Sequence, residues 1–574
     1  MKELLKYLEQ FKKECILAPL FKMLEAVFEL FVPLVVARII DRGIGEKDPS
    51  SIVRYAGIMI VLGIVGLLSA VTAQYFSAKA ATGFSKALRR DLFKHLLGLS
   101  HRELDGLGTS TMITRITSDV LQAQTGVNMF LRLFLRSPFI VFGAMIMAFT
   151  IDVRAALLFV LLIVVLFAVV AIIMRLNIPM LARVQQRLDK ITLLTRENLS
   201  GSRVIRAFCL EESEEEGFRE QNTEYLKTQI EAGHISALLN PLTYVIVNLM
   251  IILLIYTGAV RVQAGALTQG MVVALYNYMS QILVELVKFA NLILTINKAI
   301  ASGNRIADVF RISNSLSEEG GEFGEELSET AVEFENVSFT YHEGGDEALS
   351  DVSFLAKRGA TIGIIGGTGS GKSTLAALIP RFYDVSKGVV RVFGKDVRSL
   401  STEALRDKIG IVPQKAVLFQ GTIADNLRWG RKDVSDKEME EAIELAAAAD
   451  IVSVKGGLLA EVAQNGSNFS GGQKQRLTIA RALVKKPELL ILDDSSSALD
   501  FVTDLQLRTN IRGLSYHPTT FLISQRTSTI RNADLILVMD DGLLVGKGTH
   551  EELLANCEVY REIHESQFSK EEVS

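Results

Sequence analysis

Gly366-Gly367-Thr368-Gly369-Ser370-Gly371-Lys372-Ser373-Thr374 lies between a strand-like run at 360–365 and a helix-like run at 375–380. A G-x-x-x-x-G-K-[ST] match carries meaning in that setting, because the glycines let backbone N–H groups turn inward around phosphates. The start of the following helix adds partial positive charge. Lys372 is then placed to reach the β- and γ-phosphates, and the Ser373 hydroxyl to bind Mg²⁺. The stretch is a nucleotide-binding loop. Around it, from about residue 331 to 568, the pattern is that of a strand-rich α/β domain.

Two further stretches follow in order. Leu489-Leu490-Ile491-Leu492-Asp493 is an apolar strand ending in a carboxylate, which places Asp493 beside a metal-bound phosphate. Asn468-Phe469-Ser470-Gly471-Gly472-Gln473 is a Ser-Gly-Gly turn opening a helix, whose free N–H groups could meet a second face of a phosphate chain.

The rest of the chain has a different character. At 574 residues it is too long for one core, and 49% hydrophobic residues with a mean hydropathy of +0.29 point to membrane segments. The formal charge of −4 gives no sign of nucleic-acid binding. Three distant cysteines, Cys15, Cys209 and Cys557, match no metal spacing and suit a reducing compartment. The N-terminus is basic and amphipathic and does not resemble a cleaved signal peptide.

Six apolar stretches, 15–37, 55–78, 129–151, 155–174, 235–260 and 262–284, are of bilayer-spanning length. The turn between the last two is expected near 263–270. Short connections alternate with long polar ones at 79–128 and 175–234. Lys2, Lys6, Lys12, Lys13, Arg89, Arg90 and Lys94 lie on the long-connection side, which makes that side cytoplasmic. The predicted organisation is a transmembrane domain at 1–312, an acidic linker at 313–330, the nucleotide domain at 331–568 and a flexible tail at 569–574.

Together these features resemble the ATP-binding-cassette (ABC) exporter family over nearly the whole chain. The resemblance implies a membrane all-α domain of six helices with long cytosolic extensions, followed by an α/β P-loop ATPase cassette. It implies ATP and Mg²⁺ as cofactors, the cell membrane as location, and ATPase activity coupled to transport. Tyr341 resembles the aromatic that stacks on adenine, and Gln414 the residue that contacts Mg²⁺ together with Ser373. Phe469–Gln473 resembles the family signature, here FSGGQ, and Asp500 belongs to the loop through which paired cassettes communicate. Segments 110–120 and 197–208 resemble the two coupling helices. In this family ATP is held between one cassette's phosphate loop and the other's signature, so one chain cannot complete a site.

Three positions depart from the family pattern. Asp494 stands where a water-polarising Glu is usual, Gln525 where a switch His is usual, and 462–466 reads Val-Ala-Gln-Asn-Gly where Val-Gly-Glu-Arg-Gly is usual. Asp is one methylene short, and an amide cannot act as an imidazole. Hydrolysis at this chain's own loop is placed in doubt, although binding is not. The combination resembles the degenerate-site subunit of heterodimeric bacterial multidrug exporters.

Within the spans, Lys22, Glu25 and Glu29 share one helix face, as do Arg132 with Arg136 and Glu285 with Lys288. Charges at that depth face each other or water. Glu25, Glu29 and Glu285 are expected to line a polar cavity that favours small hydrophobic or cationic amphiphiles. The same architecture could also serve lipid, peptide or siderophore export, or an ATP-gated channel or regulatory subunit.

Overall fold

The computed structural model describes residues 2–316, 320–324, 327–341 and 344–567. The expected acidic linker is therefore described only in part, and the tail at 569–574 lies outside the described residues. The chain forms two compact units, residues 1–97 with 110–312, and residues 98–109 with 313–574.

The first unit is helical. After α1 (Lys12–Arg38) come α2 (Pro49–Leu97), α3 (Thr109–Ile151), α4 (Val153–Ser200), α5 (Glu211–Gln263) and α6 (Gln269–Arg311). Those five later helices are long and apolar enough to cross a bilayer. Six spans were expected, and α1 is the one that falls short in apolarity: its 27 residues suffice in length, but Lys22, Glu25 and Glu29 interrupt it. The 49 residues of α2 make a rod of about 73 Å, against about 30 Å of hydrocarbon, so it runs well beyond the bilayer. The turn between α5 and α6 falls within the stretch that the sequence indicated. Thr268 caps α6 by accepting the Met271 N–H at 3.2 Å, and Asp41 accepts the Gly270 N–H at 2.8 Å.

The charges in α1 are tolerated because they are paired. Arg136, 7% exposed, donates to Glu285 Oε1 and to Glu29 Oε2, each at 2.6 Å. Ser137 donates to the second Glu285 oxygen at 2.8 Å, and Lys288 to the first at 3.0 Å. Lys22 holds Glu25 at 2.5 Å. Three cations offset three carboxylates, and the cluster joins α1, α3 and α6. A carboxylate in a medium of low dielectric is stable only with such partners. Glu285 therefore faces Arg136, Ser137 and Lys288, and of the three carboxylates Glu29 keeps the most exposed side chain, at 40%.

Arg136→Ala should consequently destabilise the full chain by about 3 kcal/mol, because buried Glu285 keeps only Ser137 and the half-exposed Lys288 as partners and Glu29 loses its cation. Adding Glu285→Gln should recover part of the loss. Thermal melting in nanodiscs checks this, and an unchanged melting temperature would refute the role given to the cluster.

The second unit contains two main sheets. β1 (Thr330–Phe339) pairs antiparallel with β2 (Leu349–Lys357) and with β4 (Lys387–Val392). The larger sheet consists of β3 (Thr361–Gly366), β5 (Ile409–Val412), β6 (Leu489–Asp493), β7 (Thr519–Ile523), β8 (Leu535–Asp540) and β9 (Leu543–Gly548), in the order β9-β8-β3-β7-β6-β5. Its neighbours are parallel except β8 with β9. β7 is buried at every position, as the near-continuous apolar run of a covered parallel strand requires. The stacked rings of Phe334 and Phe354, 4.7 Å apart, and Phe521 against Phe354 fill the space between the sheets.

Segment 98–109 belongs to this second unit. Its helix His101–Leu107 lays the His101 ring on Phe382 at 4.3 Å, and Asp105 accepts the Tyr383 hydroxyl at 2.7 Å. The segment expected to couple, 110–120, stays in the first unit, where Asp119 pairs with Arg115 and Arg305. The signal for the earlier helix was present. Ser100 and Glu103 have capping-box spacing, and Gly108, at φ 71°, stops the helix in a left-handed turn. The second expected segment, 197–208, does contain a short helix, Ser202–Ala207.

Candidate active site

The phosphate loop joins β3 to α7 (Lys372–Leu378), so it opens at the carboxyl end of a central parallel strand. Gly371, at φ 94°, is left-handed, and a Cβ there would sit 2.8 Å from the Ala348 carbonyl. Glycine is required at that point. Lys372 Nζ donates to the Gly367 carbonyl at 2.5 Å and to Ser370 Oγ at 3.2 Å, so the ammonium curls over the loop between Gly366 and Thr374. Burial pushes its pKa down, against the pull of Asp493 and Asp494. An anionic phosphate chain in this cradle would stabilise the charged form.

The carboxylates lie one strand away, where β6 ends. Asp493 Oδ1 accepts the Ser373 hydroxyl at 3.0 Å. Burial raises the Asp493 pKa, and the Ser373 hydrogen bond opposes the rise. Asp494 follows at φ 46°, with its N–H bound to the Ile523 carbonyl of β7 at 3.0 Å, and Gln414 Nε2 donates to its Oδ2 at 3.3 Å. Ser373, Gln414 and Asp493 thus form an oxygen-rich donor set of the kind that suits Mg²⁺. Gln525, one residue past Ser524 at the end of β7, joins this edge; its side chain makes no hydrogen bond among the described residues.

Tyr341 stands beside the loop. Its hydroxyl lies 2.9 Å from Thr374 Oγ1, and its ring meets Tyr383 edge-on at 5.3 Å. At 37% exposure the ring keeps a free face for a base.

The signature stretch opens α8 (Gly471–Val484). Ser470 and Gln473 form a reciprocal capping box: the Ser470 N–H donates to Gln473 Oε1 at 2.9 Å, and the Gln473 N–H to Ser470 Oγ at 3.4 Å. First-turn N–H groups have no acceptor within their helix, and no atom lies within 4 Å of a Cβ placed on Gly471. The opposite holds at Gly472, where a Cβ would meet the Ala498 carbonyl at 2.8 Å. That contact joins the signature to the loop ending in Asp500, which caps α9 (Phe501–Arg512) by accepting the Thr503 N–H at 2.9 Å. Phe469, 6% exposed, fills the core beneath, with Lys455 over its ring.

A model of the ABC transporter transmembrane region matches residues 15–286, and a model of the ABC transporter matches residues 349–497. The "Uncharacterized ABC transporter ATP-binding protein YfiB" of Bacillus subtilis (strain 168) is 36% identical over 572 residues, covering 100% of this chain and 99% of that protein. The chain belongs to the ABC transporter family.

Within the family, the "Putative multidrug export ATP-binding/permease protein YgaD" of the same organism is 31% identical, covering 96% of this chain and 97% of that protein. A solved structure of a bacterial Atm1-family ABC exporter with ATP bound superposes with a TM-score of 0.81 at 25% identity, covering 97% of this chain and 99% of that one. This ABC exporter subunit is a multi-pass membrane protein with a cytoplasmic cassette that binds ATP and couples its hydrolysis to transport.

Two groups near the site escaped the sequence reading. Tyr383 links Tyr341 to Asp105, and Gln567 reaches the loop that carries Gln525. Neither stands in a motif that names its partner.

Proposed function

We propose that this chain is one half of a heterodimeric exporter that moves hydrophobic or cationic amphiphilic molecules out of the cell. Its own MgATP site hydrolyses slowly, and its signature completes a faster site on the partner's phosphate loop. One observation carries this reading. The ATP-holding residues Tyr341, Lys372, Ser373, Gln414 and Asp493 are arranged around the loop, while the water-activating positions hold the shorter Asp494 and the non-imidazole Gln525. The Ser470–Gln473 turn keeps its capping box intact. A homodimer would pair two weak sites with two sound signatures, whereas a heterodimer puts the sound signature to use.

The cargo class is supported by the membrane unit. A cavity of about 570 Å³ is walled mainly by apolar side chains, among them Leu5, Ile16, Val127 and Phe130, with Glu9 and Lys12 also in its lining. Glu29 does not line that cavity; half-exposed elsewhere in the membrane unit, it offers a carboxylate that Arg136 holds through Oε2. The 31%-identical relative YgaD, named a putative multidrug export protein, agrees with this class.

Transport into inverted proteoliposomes tests the proposal. Glu29→Gln should reduce ATP-driven uptake of a cationic amphiphile by up to about tenfold, the worth of one charge-assisted hydrogen bond. Uptake of a neutral amphiphile and binding of ATP should stay unchanged. Equal effects on both cargoes would remove Glu29 from cargo selection, and ATP-dependent conductance without uptake would favour a channel.

A further inference from the structure

The C-terminal helix α10 (Glu558–Gln567) runs back to the loop that follows β7. Tyr560, fully buried, anchors it, with its hydroxyl 2.7 Å from His550 Nδ1. In the last turn the Gln567 amide makes three bonds to that loop. Nε2 donates to the Gln525 carbonyl at 2.6 Å, and Oε1 accepts the Thr527 N–H at 2.8 Å and the Thr527 hydroxyl at 3.1 Å. His564 Nδ1 lies 3.2 Å from the same hydroxyl. On the other side, the Ser524 N–H donates to the Ile364 carbonyl of β3 at 3.0 Å, on the strand that leads into the phosphate loop.

We propose that Gln567 is a positioning residue for hydrolysis at this chain's own phosphate loop, because it fixes the backbone from which Gln525 reaches toward the γ-phosphate. The proposal rests on the reading of Gln525 as the stand-in for the switch His. A glutamine side chain has three rotatable bonds, and that of Gln525 is held by no hydrogen bond among the described residues. Its reach is therefore set by its backbone. One amide can accept from an N–H and donate to a carbonyl at once, whereas a carboxylate keeps only the accepting half and a leucine neither. A displacement of about 1 Å near a reacting group can cost on the order of a hundredfold in rate.

The test uses the full-length transporter, purified with its partner half in nanodiscs. The readouts are the slowest phase of single-turnover MgATP hydrolysis and the affinity for ATP. Gln567→Leu should slow that phase about tenfold with affinity held within about twofold, a small fraction of the positional limit above. Gln567→Glu, which keeps the acceptor, should lie between the two and serves if the leucine variant fails to fold. Gln525→Ala combined with Gln567→Leu should be no slower than Gln525→Ala alone. A slow phase unchanged by both Gln567 variants, while Gln525→Ala retards it, overturns the positioning role and leaves Gln525 its own. A silent Gln525→Ala overturns both. Losses that multiply in the double variant and weaken ATP binding would make Gln567 merely structural and overturn the proposal as well.

Discussion

Ser470→Ala in this chain should lower the ATP turnover of the complex with its partner by about a hundredfold or more, whereas Lys372→Ala should lower it by less than about tenfold. The difference follows from which site each residue serves. Ser470 opens α8 with its first-turn N–H groups directed out of the helix end, and an open Gly471 stands beside it. Under the proposed pairing this donor array meets the transferring phosphoryl at the partner's fast site. The Ser470 hydroxyl, which accepts the Gln473 N–H and has its own O–H to donate, would add to that array, and one such donor is worth about 10²–10³ in rate. Ser470 is also a helix cap, and loss of a cap costs about 1 kcal/mol. The two roles separate in the laboratory, because melting should shift slightly while turnover collapses. Under the same proposal Lys372 serves the slow site, so its removal should be seen first as lost retention of labelled ATP after rapid filtration. Collapse of turnover with Lys372→Ala but not with Ser470→Ala would reverse the assignment.

Restoring both altered positions, Asp494→Glu with Gln525→His, should accelerate hydrolysis at this chain's own site by about ten- to a hundredfold. The backbone is already in place for it. The Asp494 N–H is bound to the Ile523 carbonyl at 3.0 Å, and its own carbonyl accepts the Ser497 hydroxyl at 2.8 Å. Its left-handed φ of 46° is a conformation that aspartate adopts more readily than most residues. The added methylene therefore extends from a fixed base toward the place where water is activated. The slow phase of single-turnover hydrolysis reads the gain. No acceleration in a double variant that still binds ATP would overturn the assignment of slow hydrolysis to these two positions.

What the sequence disclosed and what it withheld divide along chain distance. The phosphate loop, Asp493 and the Ser470–Gln473 turn could be read because each is a local backbone device: a strand end, a left-handed glycine or a helix cap. Arg136 with Glu285, 149 residues apart, could be assigned to helix faces but not to each other, since helix packing decides which faces meet. The same holds for Tyr383 with Asp105, 278 residues apart, and Gln567 with Gln525, 42 apart. The first span shows the limit of composition. Its charges argue against burial when counted singly, and pairing across α3 and α6 removes the objection. The helix at His101–Leu107, which belongs to the second unit, went unread for a different reason: Ser100, Glu103 and Gly108 delimit a helix that is too short for apolar periodicity to reveal.

The central claim is that this chain's phosphate loop holds ATP without turning it over efficiently by itself. Purification of this chain alone, with ATPase activity measured in nanodiscs beside its binding of labelled ATP, tests that claim most directly. The account predicts firm MgATP binding with little hydrolysis, and a rise in turnover when a partner half bearing Glu and His at the two altered positions is added. Robust, transport-coupled ATPase activity from the chain alone, undiminished by Asp494→Ala, would contradict it.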